Sequence, residues 1–374
     1  LAQATTSVTE SNNSFRKFQQ DYILTYRKKF GEHSLTGTAG LTYYAFSNRF
    51  NSATSTAGGS VSSLQIPNNP DLWYINNGFG KVQEGDASGG GSDFATSSIL
   101  GRLLYNYKGK YYLNASIRDD GSSRIPEKNR HQLFWALGAA WEISKESFMQ
   151  NISQINYLKL KASIGVLGNQ STYGPVSNYP FYPGVANAGN VFGNFGTLGY
   201  LAAVPAYRKN PNLQWETINS YEFGFEANAF NNRLHFEYNY YNKLTKDMMT
   251  YIGLSSLGYD DIIQNGGELK NWGHEFTASW TQKLNKDISV NLGGNITFMK
   301  NKVISLAEDL PGGIIIDARA NNGSAEARTL PGYPIGSFYG YVIDGLYQTD
   351  LDRLVSPFAG SVGTYLNGDF KYKD

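Results

Sequence analysis

Alternate-residue patterning runs through this chain and constrains its fold more than any other feature. In Tyr111 to Arg118, one face collects Tyr111, Leu113, Ala115 and Ile117, and the other Tyr112, Asn114, Ser116 and Arg118. In Leu158 to Val166, Leu158, Leu160, Ala162 and Ile164 oppose Lys159, Lys161 and Ser163. In Val290 to Phe298, Val290, Leu292, Ile296 and Phe298 oppose Asn291, Gly293, Asn295 and Thr297. A helix would repeat near 3.6, so a period of two predicts strands with one apolar and one polar face. Further strands are expected at about Phe15–Phe30, Ser34–Phe46, Ser97–Tyr107, Leu133–Ile143, Asn219–Phe230, Arg233–Met248, Glu268–Leu284 and Gly336–Gln348. Several are longer than the five or six residues usual in soluble sheets and reach bilayer-spanning length.

The connections alternate in length. Short ones fall at Gly31-Glu32-His33, Lys108-Gly109-Lys110, Asn231-Asn232 and Asn285-Lys286. Long ones occupy about 47–95, 119–131, 168–217, 249–267 and 305–335. The connector 144–156 falls where a short one is due, with room for a helical turn or two. Short turns on one rim and long loops on the other are the pattern of an outer-membrane barrel. The reading is therefore all-β: an antiparallel transmembrane β-barrel segment.

Composition agrees. The chain has 27 Tyr, 21 Phe and 41 Gly with only 17% charged residues, which suits strands and turns. No run of about 18 apolar residues marks a membrane helix, and that leaves a barrel open. Without Cys, disulfides, thiolate metal sites and cysteine nucleophiles are excluded. The net charge of +1 offers no field for nucleic acid. Tyr105, Tyr107, Tyr111, Tyr112, Trp135, Trp141, Tyr238, Tyr240 and Trp280 suit an aromatic girdle at the membrane boundary; cross-strand pairing in a soluble protein is the alternative.

Catalytic and metal signals are sparse. The four His residues, His33, His131, His235 and His274, form no H-x-x-x-H pair and accompany no G-x-S-x-G elbow. His235 shares a face with Glu237 and Asn239, which places it on the lumen side. Arg118, Asp119, Asp120 and Arg124 read as a loop ion-pair cluster. Tyr259-Asp260-Asp261, and Asp369 with Asp374, lack EF-hand spacing. Ser88-Gly89-Gly90-Gly91-Ser92 has no P-loop Lys and reads as a flexible loop. No enzyme, cofactor or metal is expected. The candidate contacts are loop aromatics: Trp73, Tyr74, Tyr179, Phe181, Tyr182, Tyr200, Tyr207 and Trp215. Their rings either stack on a substrate or a covering protein, or pack the loops on one another.

Several stretches taken in order resemble the C-terminal half of SusC/RagA-family TonB-dependent transporters. They are Ile117-Arg118-Asp119-Asp120-Gly121-Ser122-Ser123-Arg124, Phe134-Trp135-Ala136-Leu137-Gly138, Leu158-Lys159-Leu160-Lys161-Ala162-Ser163, Asn210-Pro211-Asn212-Leu213-Gln214-Trp215-Glu216-Thr217, Asn265-Gly266-Gly267-Glu268-Leu269-Lys270-Asn271-Trp272-Gly273 and Pro334-Ile335-Gly336-Ser337-Phe338-Tyr339-Gly340. The resemblance covers roughly residues 100–374. It implies residence in the outer membrane of a Bacteroidota-type bacterium and import of oligosaccharides or peptides. It further implies a SusD-like surface lipoprotein as partner, and TonB acting through an N-terminal plug domain. Residues 1–374 would be barrel throughout, without that plug and stopping short of the family's last strands. The expected ten or so strands are about half of a barrel of roughly 22. A passive porin-like channel, a membrane-embedded hydrolase and a soluble aromatic-rich binding module are the rival readings.

Overall fold

The computed structural model describes residues 7–56, 69–75, 87–171, 178–182, 184–195, 198–207, 209–253, 261–307, 314–315, 325–340, 342–354 and 366–373. Its first fourteen strands are β1 (Ser7–Phe30), β2 (His33–Thr56), β3 (Ala87–Tyr107), β4 (Tyr111–Ser122), β5 (His131–Glu142), β6 (Ile155–Asn169), β7 (Gly184–Phe195), β8 (Leu198–Tyr207), β9 (Glu216–Ala229), β10 (Leu234–Lys246), β11 (Met249–Gly253), β12 (Asp261–Asn265), β13 (Gly267–Lys283) and β14 (Ser289–Leu306), and short strands follow them. Ten of them form one sheet in the order β1-β2-β3-β4-β5-β6-β9-β10-β13-β14. Every pairing in it is antiparallel, so the chain runs up and down across the sheet. β1 and β14 form its two edges and are not paired with each other.

The short turns run in left-handed backbone, which Gly109, Asn231 and Asn232 tolerate and which Lys108 and Phe230 adopt at a cost. Lys108 (φ 55°) and Gly109 (φ 66°) form a two-residue hairpin turn whose twist matches that of the flanking strands. The Asn106 side chain accepts the Gly109 N–H at 2.8 Å. Phe230, Asn231 and Asn232 all have positive φ in the next such turn. Antiparallel neighbours place all these turns at one end of the sheet. Backbone bonds tie them to adjacent connections: Lys108 N–H to Glu32 C=O at 2.9 Å, and Phe230 N–H to Gln154 C=O at 2.8 Å. The connector after β5 holds two 3-10 turns, Ile143–Lys145 and Ser147–Met149, at this same end. The long connections leave from the other end, as the alternation of lengths predicts.

The described parts of those long connections hold more strand than the sequence suggests. β2 and β3 continue pairing well past the expected strand ends, as far as Ala53 opposite Ala87. The glycine run read as a flexible loop lies within this extension, with Gly89 opposite Asn51, Gly90 opposite Phe50 and Gly91 opposite Arg49. Glycine is needed at 91, where a Cβ would sit 2.7 Å from the Asn48 carbonyl oxygen, and at Gly90 a Cβ 2.8 Å from the Phe50 ring would push that ring aside. The 168–217 and 249–267 connections contribute β7, β8, β11 and β12 to a separate sheet of order β11-β12-β8-β7. The single strand expected over Gly336–Gln348 is instead two. Ser337–Gly340 pairs with Ala325–Thr329, and Ile343–Leu346 pairs with Phe370–Tyr372. Gly336 (φ 67°) directly precedes the first of the two, and Gly345 (φ 150°) sits at a register shift inside the second.

Register separates the two faces of the main sheet. Lys161, Gly224, Asn239, Glu275 and Thr297 lie across β6, β9, β10, β13 and β14 on one face. One residue along, Ala162, Phe223, Tyr240, His274 and Phe298 line the other. The same division holds from β1 to β5, where Leu24, Ala39, Gly101, Ile117 and Trp135 share the apolar face. That face is exposed: Leu24, Ile99, Ile117, Leu137, Ile164, Phe223, Leu292, Ile296 and Phe298 all present large apolar surface. A water-soluble protein rarely leaves a patch of this size uncovered, whereas lipid tails cover it at no cost.

Candidate functional site

The polar face of the sheet carries the charged and hydrogen-bonding side chains that a solute would meet. Lys161 on β6 donates to Glu237 at 2.6 Å and Glu226 at 3.1 Å. Asn239 donates to the same Glu237 carboxylate at 3.0 Å. Glu226 and Glu237 lie directly opposite on β9 and β10, so Lys161 neutralises a cross-strand pair of like charges. A hollow of about 630 Å³ opens on this face, lined among others by Asn114, Ser163, Glu222, Asn239, Lys243 and Glu275. His235 is held here by Asn228 at 2.8 Å, on the side that its spacing predicts.

The opposite face ends in an aromatic row beside the short turns. Rings stack along Phe30, His33 and Tyr107, then Tyr111 and Trp141, across β1 to β5. On the far side of the sheet Phe230 contacts Trp280 at the same end. Of the aromatics expected in a girdle, Tyr107, Tyr111, Trp141 and Trp280 lie in this row. Tyr112 points to the polar face, where its hydroxyl donates to Glu142 at 2.8 Å. Trp135, Tyr238 and Tyr240 lie on the apolar face several residues above the row, and His274 accompanies them, bonded to the Tyr238 hydroxyl at 2.9 Å. Glu146, on the connector after β5, anchors the row. It accepts from Tyr111 Oη at 2.7 Å, Trp141 Nε1 at 3.1 Å and Lys110 Nζ at 2.9 Å. These bonds, that from Tyr111 first, hold its pKa down to about 2.

At the long-loop end a small core fastens the loops to the wall. Ile125, Phe134, Leu213, Trp215 and Ile263 are buried together, with Val166 and Met249 against them. Phe134 meets Trp215 edge-to-face at 5.5 Å, and Trp215 Nε1 donates to Arg130 C=O at 3.1 Å. Gly168 makes room, because any Cβ there would strike the Phe134 ring. Around this core, Asn side chains splint the backbone. Asn210 donates to Ile263 C=O at 2.9 Å, Asn129 to Leu213 C=O at 3.1 Å and Asn265 to Gln214 C=O at 2.8 Å. The buried Glu216 accepts from Met249 N–H and from the Asn169 side chain, each at 2.6 Å. The stretch Asn210 to Glu216 is thus a clamp on the mouth of the wall.

The loop aromatics divide accordingly. Trp215 is packed inside the clamp, which corrects its reading as a contact residue: its ring fills a core and its N–H is spent on Arg130. Tyr179, Phe181 and Tyr182 touch one another, with Phe181 and Tyr182 at 4.7 Å, and Tyr182 is exposed. Trp73 and Tyr74, beside a 3-10 turn at Pro70–Leu72, are also exposed. The side chains of Tyr200 and Tyr207 lie outside the described residues. The ion-pair cluster expected at Arg118 to Arg124 is split by strand parity. Arg118 pairs with Asp120 on the polar face and Asp119 with His131 on the apolar one. Arg124 pairs with neither carboxylate; its guanidinium stands 3.7 Å over the Phe94 ring. Parity along β4 could have signalled the split. Asp369 caps its own turn, accepting Leu366 N–H at 2.7 Å, while Asp260 and Asp374 lie outside the described residues.

Comparison with known proteins places this geometry. The family model described as TonB dependent receptor-like, beta-barrel matches residues 2–373. TonB-dependent receptor P3 of Formosa agariphila is 30% identical over 91% of this chain and 32% of its own length. TonB-dependent receptor SusC of Bacteroides thetaiotaomicron is 29% identical over 65% of this chain and 25% of its own length. The chain thus spans about a third or less of these relatives. Among solved structures, the RagAB peptide transporter superposes over 92% of this chain and 35% of the other, with a TM-score of 0.71 at 24% identity, a likeness of fold.

Proposed function

The chain belongs to the TonB dependent receptor-like β-barrel family of the outer membrane, and from that premise we propose that it forms a wall of an energised importer for oligosaccharides or peptides. The observation that carries the proposal is the two-faced sheet. Its apolar face, bounded by the Phe30–His33–Tyr107 and Tyr111–Trp141 stacks, suits lipid. Its polar face, with the Lys161–Glu226–Glu237 cluster, suits a hydrated lumen. One similar structure, the RagAB peptide transporter, supports the peptide class; oligosaccharide cargo and a SusD-like lipoprotein as partner follow from the resemblance in the sequence. TonB would act through a plug domain. Tyr179, Phe181, Tyr182, Trp73 and Tyr74, with Tyr200 and Tyr207, would meet cargo or the covering lipoprotein at the mouth. The wall itself needs no catalytic group and no cofactor for this work.

The test is uptake of labelled oligosaccharides and peptides by cells with and without the gene, before and after a protonophore. Uptake that needs both the gene and the proton gradient supports the importer. Gene-dependent uptake that ignores the protonophore would instead make the protein a passive porin-like channel.

A further inference from the structure

Two arginines at the mouth of the wall, Arg124 and Arg130, have a buried Nε without a hydrogen-bond partner, and of these Arg124 is the one stacked on an aromatic ring of the polar face. Arg49 is bound bidentately by Asp93, with two bonds of 2.9 Å. Arg118 has Asp120 and donates to the Ser98 hydroxyl at 2.9 Å. Arg124 has no ion pair among the described residues, and its Nε is buried without a hydrogen-bond partner. Burial pushes its pKa below the ordinary guanidinium value, against the pull of the Tyr179 and Tyr44 hydroxyls. An uncompensated, half-buried guanidinium is costly, and its planar fork of donors is matched by a carboxylate.

The surroundings form a built site. Phe94, under the guanidinium, contacts Tyr44 at 5.8 Å and Phe46 at 5.4 Å. Register puts all three on the polar face, since Phe46 is opposite Phe94 and Tyr44 opposite Thr96, in step with Thr38 opposite Arg102. The backbone carrying Arg124 is fixed. Ser123 exchanges two bonds with Ala95, its N–H to the Ala95 carbonyl at 2.9 Å and its Oγ accepting the Ala95 N–H at 3.0 Å. Arg124 N–H donates to Ser122 Oγ at 3.1 Å, and the next residue, Ile125, is fully buried in the clamp. The Tyr179 hydroxyl lies 3.4 Å from Ser123 Oγ, which brings the Tyr179–Phe181–Tyr182 rings to the same corner.

We propose that Arg124, stacked on Phe94 and flanked by Tyr44 and Tyr179, is a cargo subsite that selects solutes bearing a carboxylate. The carboxylate accepts the guanidinium N–H groups, and the aromatic faces take the apolar side of the group that carries it. A uronate-containing oligosaccharide and a peptide with a free C-terminus present this same chemistry. The subsite rests on the importer reading, because it names the cargo of that lumen.

Binding to the protein purified from membranes separates the sources. The probes are a trigalacturonate, its trimethyl ester as the neutral counterpart, a tripeptide acid and the same tripeptide as its amide. One acid form should bind about tenfold or more tighter than its neutral counterpart, the size expected of a charged hydrogen-bonded pair. Preference within the sugar pair identifies a uronate, and within the peptide pair a C-terminus. Arg124→Gln should abolish the preference and Arg124→Lys retain part of it. Phe94→Leu should weaken acid and neutral probes alike. Heat-modifiable gel mobility verifies that each variant is folded. Equal binding of acid and neutral forms in both pairs, or a preference that survives Arg124→Gln, overturns the subsite. Because the readout is binding, it is independent of the protonophore test, and either can fail alone.

Discussion

Arginine placed at Ile164 gives the sharpest energetic test of the two faces. Ile164 lies on the apolar face of β6, half exposed at 50%, between Leu137 on β5 and Tyr221 on β9. Leu160 is opposite Trp141, at the level of the aromatic row. Four residues of strand separate the two, a rise of about 13 Å along β6, or roughly 10 Å along the membrane normal at a tilt of about 40°. The apolar band of such a barrel is about 25 Å tall, so Ile164 sits close to its middle. Arginine on a lipid face costs about 2–4 kcal/mol at the midplane and about 0–1 kcal/mol near the interface. Ile164→Arg should therefore lower the folding equilibrium constant by about 30-fold to several hundred-fold. Leu160→Arg should lower it by about fivefold at most. Ser163→Arg, adjacent but on the polar face, should be nearly neutral. The assay is urea-titrated refolding into phospholipid vesicles, followed by Trp fluorescence. Equal costs for Ile164→Arg and Ser163→Arg would refute the assignment of the faces, and a greater cost at Leu160 than at Ile164 would refute the placement of the girdle.

Three further outcomes are expected. Lys161→Gln should destabilise the wall by about 1 kcal/mol, because it leaves Glu226 facing Glu237; adding Glu237→Gln should restore the urea midpoint. Trp215→Ala should open the clamp at a local cost of about 3–5 kcal/mol, read as faster protease cleavage in the 209–216 segment with the heat resistance of the wall unchanged. Glu146 has a folded pKa held at about 2, below its ordinary value of 4.5, so its stabilising contribution is complete above pH 4.5 and is lost as pH falls towards 2. Glu146→Gln should remove that pH dependence from the fluorescence of the neighbouring Trp141, and an unchanged acid titration would sink the anchor role.

The wall itself was legible in the sequence because its cause is local. A side-chain period of two needs only the residue and its neighbours, so Leu158 to Val166 and Tyr111 to Arg118 announced their faces directly. The turns at Lys108-Gly109 and Asn231-Asn232 were legible because Gly and Asn are the residues that enter left-handed backbone most readily. Ordered motifs such as Asn210 to Glu216 announced the family, and relatives named TonB-dependent receptor and SusC bear that out. The mouth was not legible, because its contacts join distant segments. Trp215 resembles any loop aromatic until Phe134, Ile125 and Ile263, far off in sequence, close over it. The glycine run at 88–92 reads as a loop until Phe50 and Arg49 are placed across it. Arg124 looks like one member of a charged cluster until strand parity sends Asp119 to one face and Asp120 to the other. Alternation along a strand is a property of the chain; which charges find partners across strands and loops is decided only when the tertiary structure brings them together.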